Sequence, residues 1–130
     1  MGYLLLDSNV VINYVNRVPA VERLVDRLVD EGDDLCTCSV VLVEVLTGTF
    51  ARSEERTRML LGASRFLATS RQAAEQAGRW RFAQARRGFQ LSLQDALIAA
   101  TALENFATVV TANVKDFDLT PVQTLAPRTN

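Results

Sequence analysis

The chain alternates short, wholly apolar runs with longer stretches in which apolar residues return every three or four positions. Residues 3–6 are apolar, end at an acid, and predict a strand buried on both faces. Residues 8–15 predict a helix, with Asp7 or Ser8 as its cap. Pro19 and Ala20 open a second helix, with Val21, Leu24, Val25, Leu28 and Val29 on one stripe and Gly32 at its end. Residues 35–38 predict a second strand. Ser39 caps a helix over 40–46, which Gly48 closes or bends. Residues 54–61 predict a helix followed by Gly62, and 66–68 a third strand. A long helix over 70–87 offers Ala73, Ala77, Trp80 and Ala83 to the core, and Gly88 suits its left-handed stop. Ser92 opens a further helix to about Glu104. Residues 107–110 and 122–125 predict the last two strands.

Short strands alternating with helices argue for an α/β architecture with a parallel sheet. Right-handed crossovers put helices on both faces. In such sheets the ligand crevice lies beyond the carboxyl ends of the strands. No repeat, low-complexity segment or Pro/Gly-rich linker divides the 130 residues, so one domain over 1–130 is expected. No apolar stretch reaches the roughly 18 residues a membrane helix needs. The opening residues lack a basic region and meet Asp7 too early for a secretory signal, and Leu6 stands where a myristoylation signal needs Ser or Thr. A cytoplasmic location is expected.

Composition then narrows the chemistry. There is no histidine, which removes Ser-His-Asp and Cys-His catalysis and every His-ligated metal site. Cys36 and Cys38 are too few for a cysteine-based zinc site. Two residues apart in a strand, they share a face and read as small buried apolar side chains in a reducing interior. Carboxylates, hydroxyls and arginine remain. Net charge is −1, so no global field announces a partner. The distribution is uneven: residues 22–34 carry six acids against two arginines, and residues 71–90 carry five arginines against Glu75 alone. Lys115 is the sole lysine beside thirteen arginines, a bias that fits a GC-rich genome and also suits bidentate phosphate recognition.

Four carboxylates stand in apolar surroundings. Asp7 follows Leu4-Leu5-Leu6 at a strand tip, where it also suits a helix N-cap. Glu44 is the one polar residue in Val40-Val41-Leu42-Val43-Glu44-Val45-Leu46, a stretch apolar enough to predict a fully buried helix. An unpaired carboxylate there takes up a proton or finds a cation; the plainer alternative is a Glu44 that pairs with one arginine or snorkels to the helix edge. Asp95 lies three residues after Ser92, the spacing of a capping box, and opens a core helix. Asp116 follows the strand at 107–110, either as a turn residue or as a crevice acid that Thr111 and Asn113 orient by hydrogen bonds. Asp118 is a second acid in that segment. The α/β reading brings all four toward strand ends and helix starts. Converging acids repel, and hard divalent cations that prefer oxygen ligands relieve the repulsion. Magnesium or manganese on Asp and Glu is the site type of in-line phosphoryl chemistry, which needs no histidine.

These residues resemble the PIN-domain family, and within it the VapC-type toxins of toxin–antitoxin pairs, over nearly the whole chain. Leu4-Leu5-Leu6-Asp7-Ser8-Asn9 resembles the opening strand with its first acid and adjoining hydroxyl. Ser39-Val40-Val41-Leu42-Val43-Glu44 resembles the second motif, and Ser92-Leu93-Gln94-Asp95-Ala96-Leu97-Ile98-Ala99-Ala100-Thr101-Ala102 the third. Thr111-Ala112-Asn113-Val114-Lys115-Asp116-Phe117 resembles the fourth and is the most specific. The resemblance implies a three-layer α/β/α sandwich with a parallel sheet of about five strands in order 3-2-1-4-5. It implies a magnesium-dependent endoribonuclease, with manganese as a substitute, that cleaves RNA by metal-activated water. Asp7, Glu44, Asp95 and Asp116 carry over as catalytic and metal-binding acids, with Ser8, Thr111 and Asn113 in support. Arginines of 71–87, among them Arg79, Arg86 and Arg87, and Lys115 are expected to hold the RNA backbone. A cognate antitoxin and a homodimer are also implied.

Other classes fit less well. A phospho-acceptor signalling domain needs a lysine at the end of a late strand, where this chain has Thr111. A haloacid-dehalogenase-type phosphatase needs a second Asp where this chain has Asn9. No glycine-rich dinucleotide fingerprint follows the first strand. A non-catalytic binding module on the same fold is the remaining alternative.

Overall fold

The computed structural model describes residues 2–49 and 54–127. In chain order the elements are β1 (Tyr3–Leu6), α1 (Ser8–Val15), α2 (Pro19–Asp30), β2 (Asp34–Cys38), α3 (Ser39–Thr49), α4 (Glu54–Ala63), β3 (Arg65–Leu67), α5 (Arg71–Arg86), α6 (Leu93–Glu104), β4 (Thr108–Val110), a 3₁₀ turn (Val114–Phe117) and β5 (Thr124–Leu125). The strands form one parallel sheet in the order β3-β2-β1-β4-β5. The expected α/β fold and strand order are those observed.

Local chemistry sets most boundaries. The Ser70 and Ser92 hydroxyls accept the backbone N–H groups of Ala73 and Asp95, both at 3.0 Å, and so cap α5 and α6. Pro19 starts α2, where its missing N–H costs nothing. Gly88 takes φ +84° just past α5, a conformation that a Cβ disfavours. Gly62 does not end α4, which runs one residue further, and Gly48 lies inside α3. A single glycine lowers helix propensity by only about 1 kcal/mol, and packing overrides it.

The core is built on β1. Leu5 and Leu6 are buried between Cys36 of β2 and Val109 and Val110 of β4. Both cysteines are free and buried, as the strand reading requires. A second small cluster of Ala73, Ala77, Leu91, Ala96 and Ala100 lets α5 lie close along α6, with Trp80 half-buried beside it. Ala83 is exposed, contrary to expectation. It falls off the Ala73–Ala77 stripe, the narrow face of small residues that α5 lays against α6. The helix α3 departs more. Val41 and Val45 are buried, whereas Val43 is 66% exposed. Its apolar residues encircle the helix, but α1, α4 and α6 cover only part of that circumference.

Candidate metal centre

Pairing of Leu6 with Val110 puts the next residues of β1 and β4, Asp7 and Thr111, side by side at the carboxyl edge of the sheet. The Asp7 backbone N–H donates to the Val110 carbonyl at 2.9 Å, which holds the strand tip in register. Its side chain is buried, 5% exposed. One carboxylate oxygen accepts the Ser8 N–H at 2.8 Å. The other accepts the Asn9 amide at 3.0 Å and the Thr111 hydroxyl at 2.8 Å. Burial raises the Asp7 pKa, these hydrogen bonds pull it back, and the negative charge of Asp116 adds to the rise.

Asp95 stands in the first turn of α6, a helix otherwise buried from Ala96 through Ala102 apart from half-buried Leu97. Its carboxyl is pushed up to about 6, first by burial, then by the charges of Asp116, Asp7 and Glu44, with the Ser92 hydroxyl partly opposing. Glu44 projects half-buried from the middle of α3, and Asp116 lies exposed in the 3₁₀ turn after β4. All four acids therefore act on one region, through Asp95. Among the described residues none of the four makes an ion pair. Beneath them the Cys38 thiol ends β2, its pKa raised by burial and by Asp7 and Glu44.

A cavity of about 330 Å³ opens at this point, lined by Gln90, Ser92, Asp95, Lys115, Asp116 and Leu119. Among the described residues no group of three or more Asp, Glu or Cys side chains is gathered closely enough to hold an ion as it stands. The donor set suits a hard divalent cation nonetheless. It is all oxygen, its members oppose one another's ionisation, and the buried Asp7 carboxylate has only neutral partners.

Supporting residues divide differently from expectation. Thr111 orients Asp7, not Asp116, because the strand register aims its hydroxyl at the β1 tip. The Thr111 oxygen also accepts the Asn113 N–H at 3.0 Å, and the Asn113 carbonyl accepts the Asp116 N–H at 3.0 Å. Ser8 contributes its backbone N–H to Asp7. Asn9 was not singled out by its residue type, yet its amide ties Asp7 to the loop after β4 by accepting the Ala112 N–H at 3.2 Å. The available signal was a short polar side chain two residues after a strand-tip acid.

The basic residues of α5 do not act as one group. Arg86 and Arg87 end α5 beside the start of α6, on the acid side. Arg79 lies two turns earlier, with its guanidinium on Gln76 at 3.3 Å. Arg71 lies at the opposite end, about 22 Å from Arg86 along the helix, in an ion pair with Glu75 at 3.1 Å. Lys115 lines the acidic cavity.

A parallel 3-2-1-4-5 sheet with acids at its carboxyl edge defines a class that the sequence comparison names. The PIN domain profile matches residues 4–121, and the chain belongs to the PIN domain family. No curated protein sequence matches the chain. Within the family it resembles VapC-type toxins. It is 20% identical to a chain of the VapBC2 complex of Rickettsia felis bound to promoter DNA, covering 97% of this chain and 99% of that one, with a TM-score of 0.84. It is 25% identical to a chain of a toxin–antitoxin complex from Klebsiella pneumoniae, covering 96% and 98%, with a TM-score of 0.78. It is 18% identical to VapC20 of Mycobacterium tuberculosis, a sarcin–ricin loop cleaving toxin, covering 89% and 92%, with a TM-score of 0.63.

Proposed function

We propose that this chain is a magnesium-dependent endoribonuclease and the toxin of a toxin–antitoxin pair, working as one domain. The observation that carries the reading is the Asp95 carboxyl, held on a buried helix in the combined field of Asp7, Glu44 and Asp116. That field attracts a divalent cation. VapC-type PIN domains are generally nucleases that use one, and VapC20, similar in fold, cleaves an RNA loop.

Asp7, Glu44, Asp95 and Asp116 would hold magnesium, or manganese in its place. When bound, the ion lowers the pKa of water and stabilises the leaving oxygen of an RNA phosphodiester. The chain's own residues do the positioning. Thr111 and Asn9 hold one Asp7 carboxylate oxygen and the Ser8 N–H holds the other. Ser92 restrains Asp95. Asn113 fixes the turn that presents Asp116. Lys115, which lines the same cavity, would meet a phosphate oxygen, and Arg79, Arg86 and Arg87 would meet flanking phosphates.

An antitoxin partner is proposed because the similar solved chains include members of toxin–antitoxin complexes. The apolar surface that α3 leaves uncovered at Val43, and that α4 leaves at Met59, supports a protein partner. A homodimer is proposed on the same surface chemistry. No helix among the described residues is long and apolar enough to cross a membrane, and an RNA substrate with two free cysteines suits the cytoplasm.

The test is cleavage of total RNA by purified chain with Mg²⁺, beside EDTA and Asp95→Ala controls. Discrete fragments lost in both controls are expected. Cleavage that persists in Asp95→Ala overturns the assignment. No cleavage by folded, antitoxin-free chain with either Mg²⁺ or Mn²⁺ favours a non-catalytic binding module.

A further inference from the structure

Beyond the acid-lined cavity, a larger concavity of about 630 Å³ lies between the last turns of α5 and the segment leading into α6. Its lining includes Arg81, Phe82, Phe89 and Gln90. Gln90 also lines the acidic cavity, so the two adjoin at that side chain. Phe82 is 64% exposed and Phe89 is 48% exposed. Each ring is met on a face by an arginine: Arg86 stands 5.6 Å from the Phe82 centroid and Arg87 stands 5.1 Å from the Phe89 centroid. Arg79, Phe82 and Arg86 share one helical face at spacings of three and four. Residues 76–94 hold four arginines and no acid. Arg81 is fixed to the wall, donating to the Leu91 carbonyl at 2.9 Å immediately before the Ser92 cap.

We propose that Phe82 and Phe89 form a base-stacking platform that binds single-stranded RNA flanking the scissile phosphate, with Arg79, Arg86 and Arg87 on its backbone. The inference rests on the nuclease reading above and adds to it the side chains that would hold the bases. Exposed aromatic faces interleaved with guanidinium groups match the two surfaces of a single strand, bases and phosphates. A duplex hides its base faces and gains nothing from the rings. A second copy of the chain is the poorer occupant. A two-fold contact sets the same patch against itself, which would bring the arginines of both copies together with no acid from residues 76–94 to offset them.

The test uses the full chain carrying Asp95→Asn, so that bound RNA stays intact, with fluorescence anisotropy of a labelled single-stranded RNA. Phe82→Ala and Phe89→Ala should each weaken binding about ten-fold. Phe82→Trp should keep the affinity, and Phe82→Leu, apolar but without a ring, should not. None should change binding of inorganic polyphosphate, which has the charge without bases, whereas Arg86→Ala should weaken both ligands. Duplex RNA should be insensitive to the Phe variants. Full RNA affinity in Phe82→Ala and Phe89→Ala, in a chain whose Asp95 form cleaves RNA, overturns the platform and leaves the nuclease reading standing. Equal losses for RNA and polyphosphate also overturn it. So does sedimentation in which Phe82→Ala splits a dimer while RNA affinity is unchanged, since the face is then an interface between copies. A chain that neither binds nor cleaves RNA overturns both readings.

Discussion

The Thr111 hydroxyl donates to the Asp7 carboxylate at 2.8 Å, a buried bond between residues 104 apart in sequence. It exists because β4 pairs beside β1 with Leu6 opposite Val110. Thr111→Val keeps the shape and removes the donor. The buried charge then loses a hydrogen bond, at a cost of about 1.5–3 kcal/mol, read by urea denaturation at neutral pH. This bond holds the Asp7 pKa down against burial, so the acid limb of the cleavage profile should move to higher pH. Thr111→Ser should restore both. An unmoved profile in Thr111→Val would separate this bond from activity.

Asp95 yields a pH-dependent stability. Its carboxyl ionises near 3.8 when unfolded and at about 6 when folded. Between those values the folded chain keeps a proton that the unfolded chain has released. Stability therefore falls as pH rises through that window and stays low above it. In EDTA, the unfolding midpoint should show this fall. Asp95→Asn should remove the larger part of it, leaving the share that the raised Asp7 pKa contributes, and stabilise the chain at neutral pH by about 1–2 kcal/mol, the linkage value reduced for the site's partial access to solvent. A midpoint in the unsubstituted chain that stays level across the window would count against the burial argument.

Magnesium should reverse that penalty. At a hundred-fold excess over its dissociation constant, an ion that binds only the folded chain adds about 2.7 kcal/mol. Thermal unfolding with and without Mg²⁺ reads the gain. Asp116→Asn should lose most of it, because the Asp116 charge bears on both Asp7 and Asp95. Asp118→Asn should keep it, since Asp118 does not line the cavity that Asp95 and Asp116 share. The reverse order would move the fourth acid to Asp118.

Position along α5 should decide which arginines matter for RNA. Arg71, paired with Glu75 at the end of α5 far from Arg86, should tolerate Ala with unchanged RNA affinity. Arg86→Ala with Arg87→Ala should weaken binding and flatten its dependence on salt by about two phosphate contacts. Equal effects at both ends would point to diffuse attraction by the whole helix.

Much of the fold was legible locally. Tyr3–Leu6 and Ser8–Val15 appear at the expected bounds, and Ser92, Pro19 and Gly88 mark helix ends in the expected way, whereas Ser70 caps α5 from outside it. The last strand is shorter than expected, at Thr124–Leu125, and the 3₁₀ turn that carries Asp116 had no distinct signal. A single turn holds too few residues to show a period.

Chain order alone was enough to specify an α/β domain, its four acids and the absence of histidine chemistry. Those properties depend on residue type, on periodicity within one element, and on caps that act over three or four residues. Only tertiary structure decided that Thr111 serves Asp7, that Asn9 joins the site, that Val43 faces outward, and that Arg71 and Arg86 belong to opposite ends. Each depends on which element lies beside another, and no period along one segment contains that. An apolar helix has the same pattern whether neighbours cover its whole circumference or only part of it. A carboxylate is an acid at any address, but its field and its partners arise only when β1, α3, α6 and the turn after β4 come to one edge of the sheet.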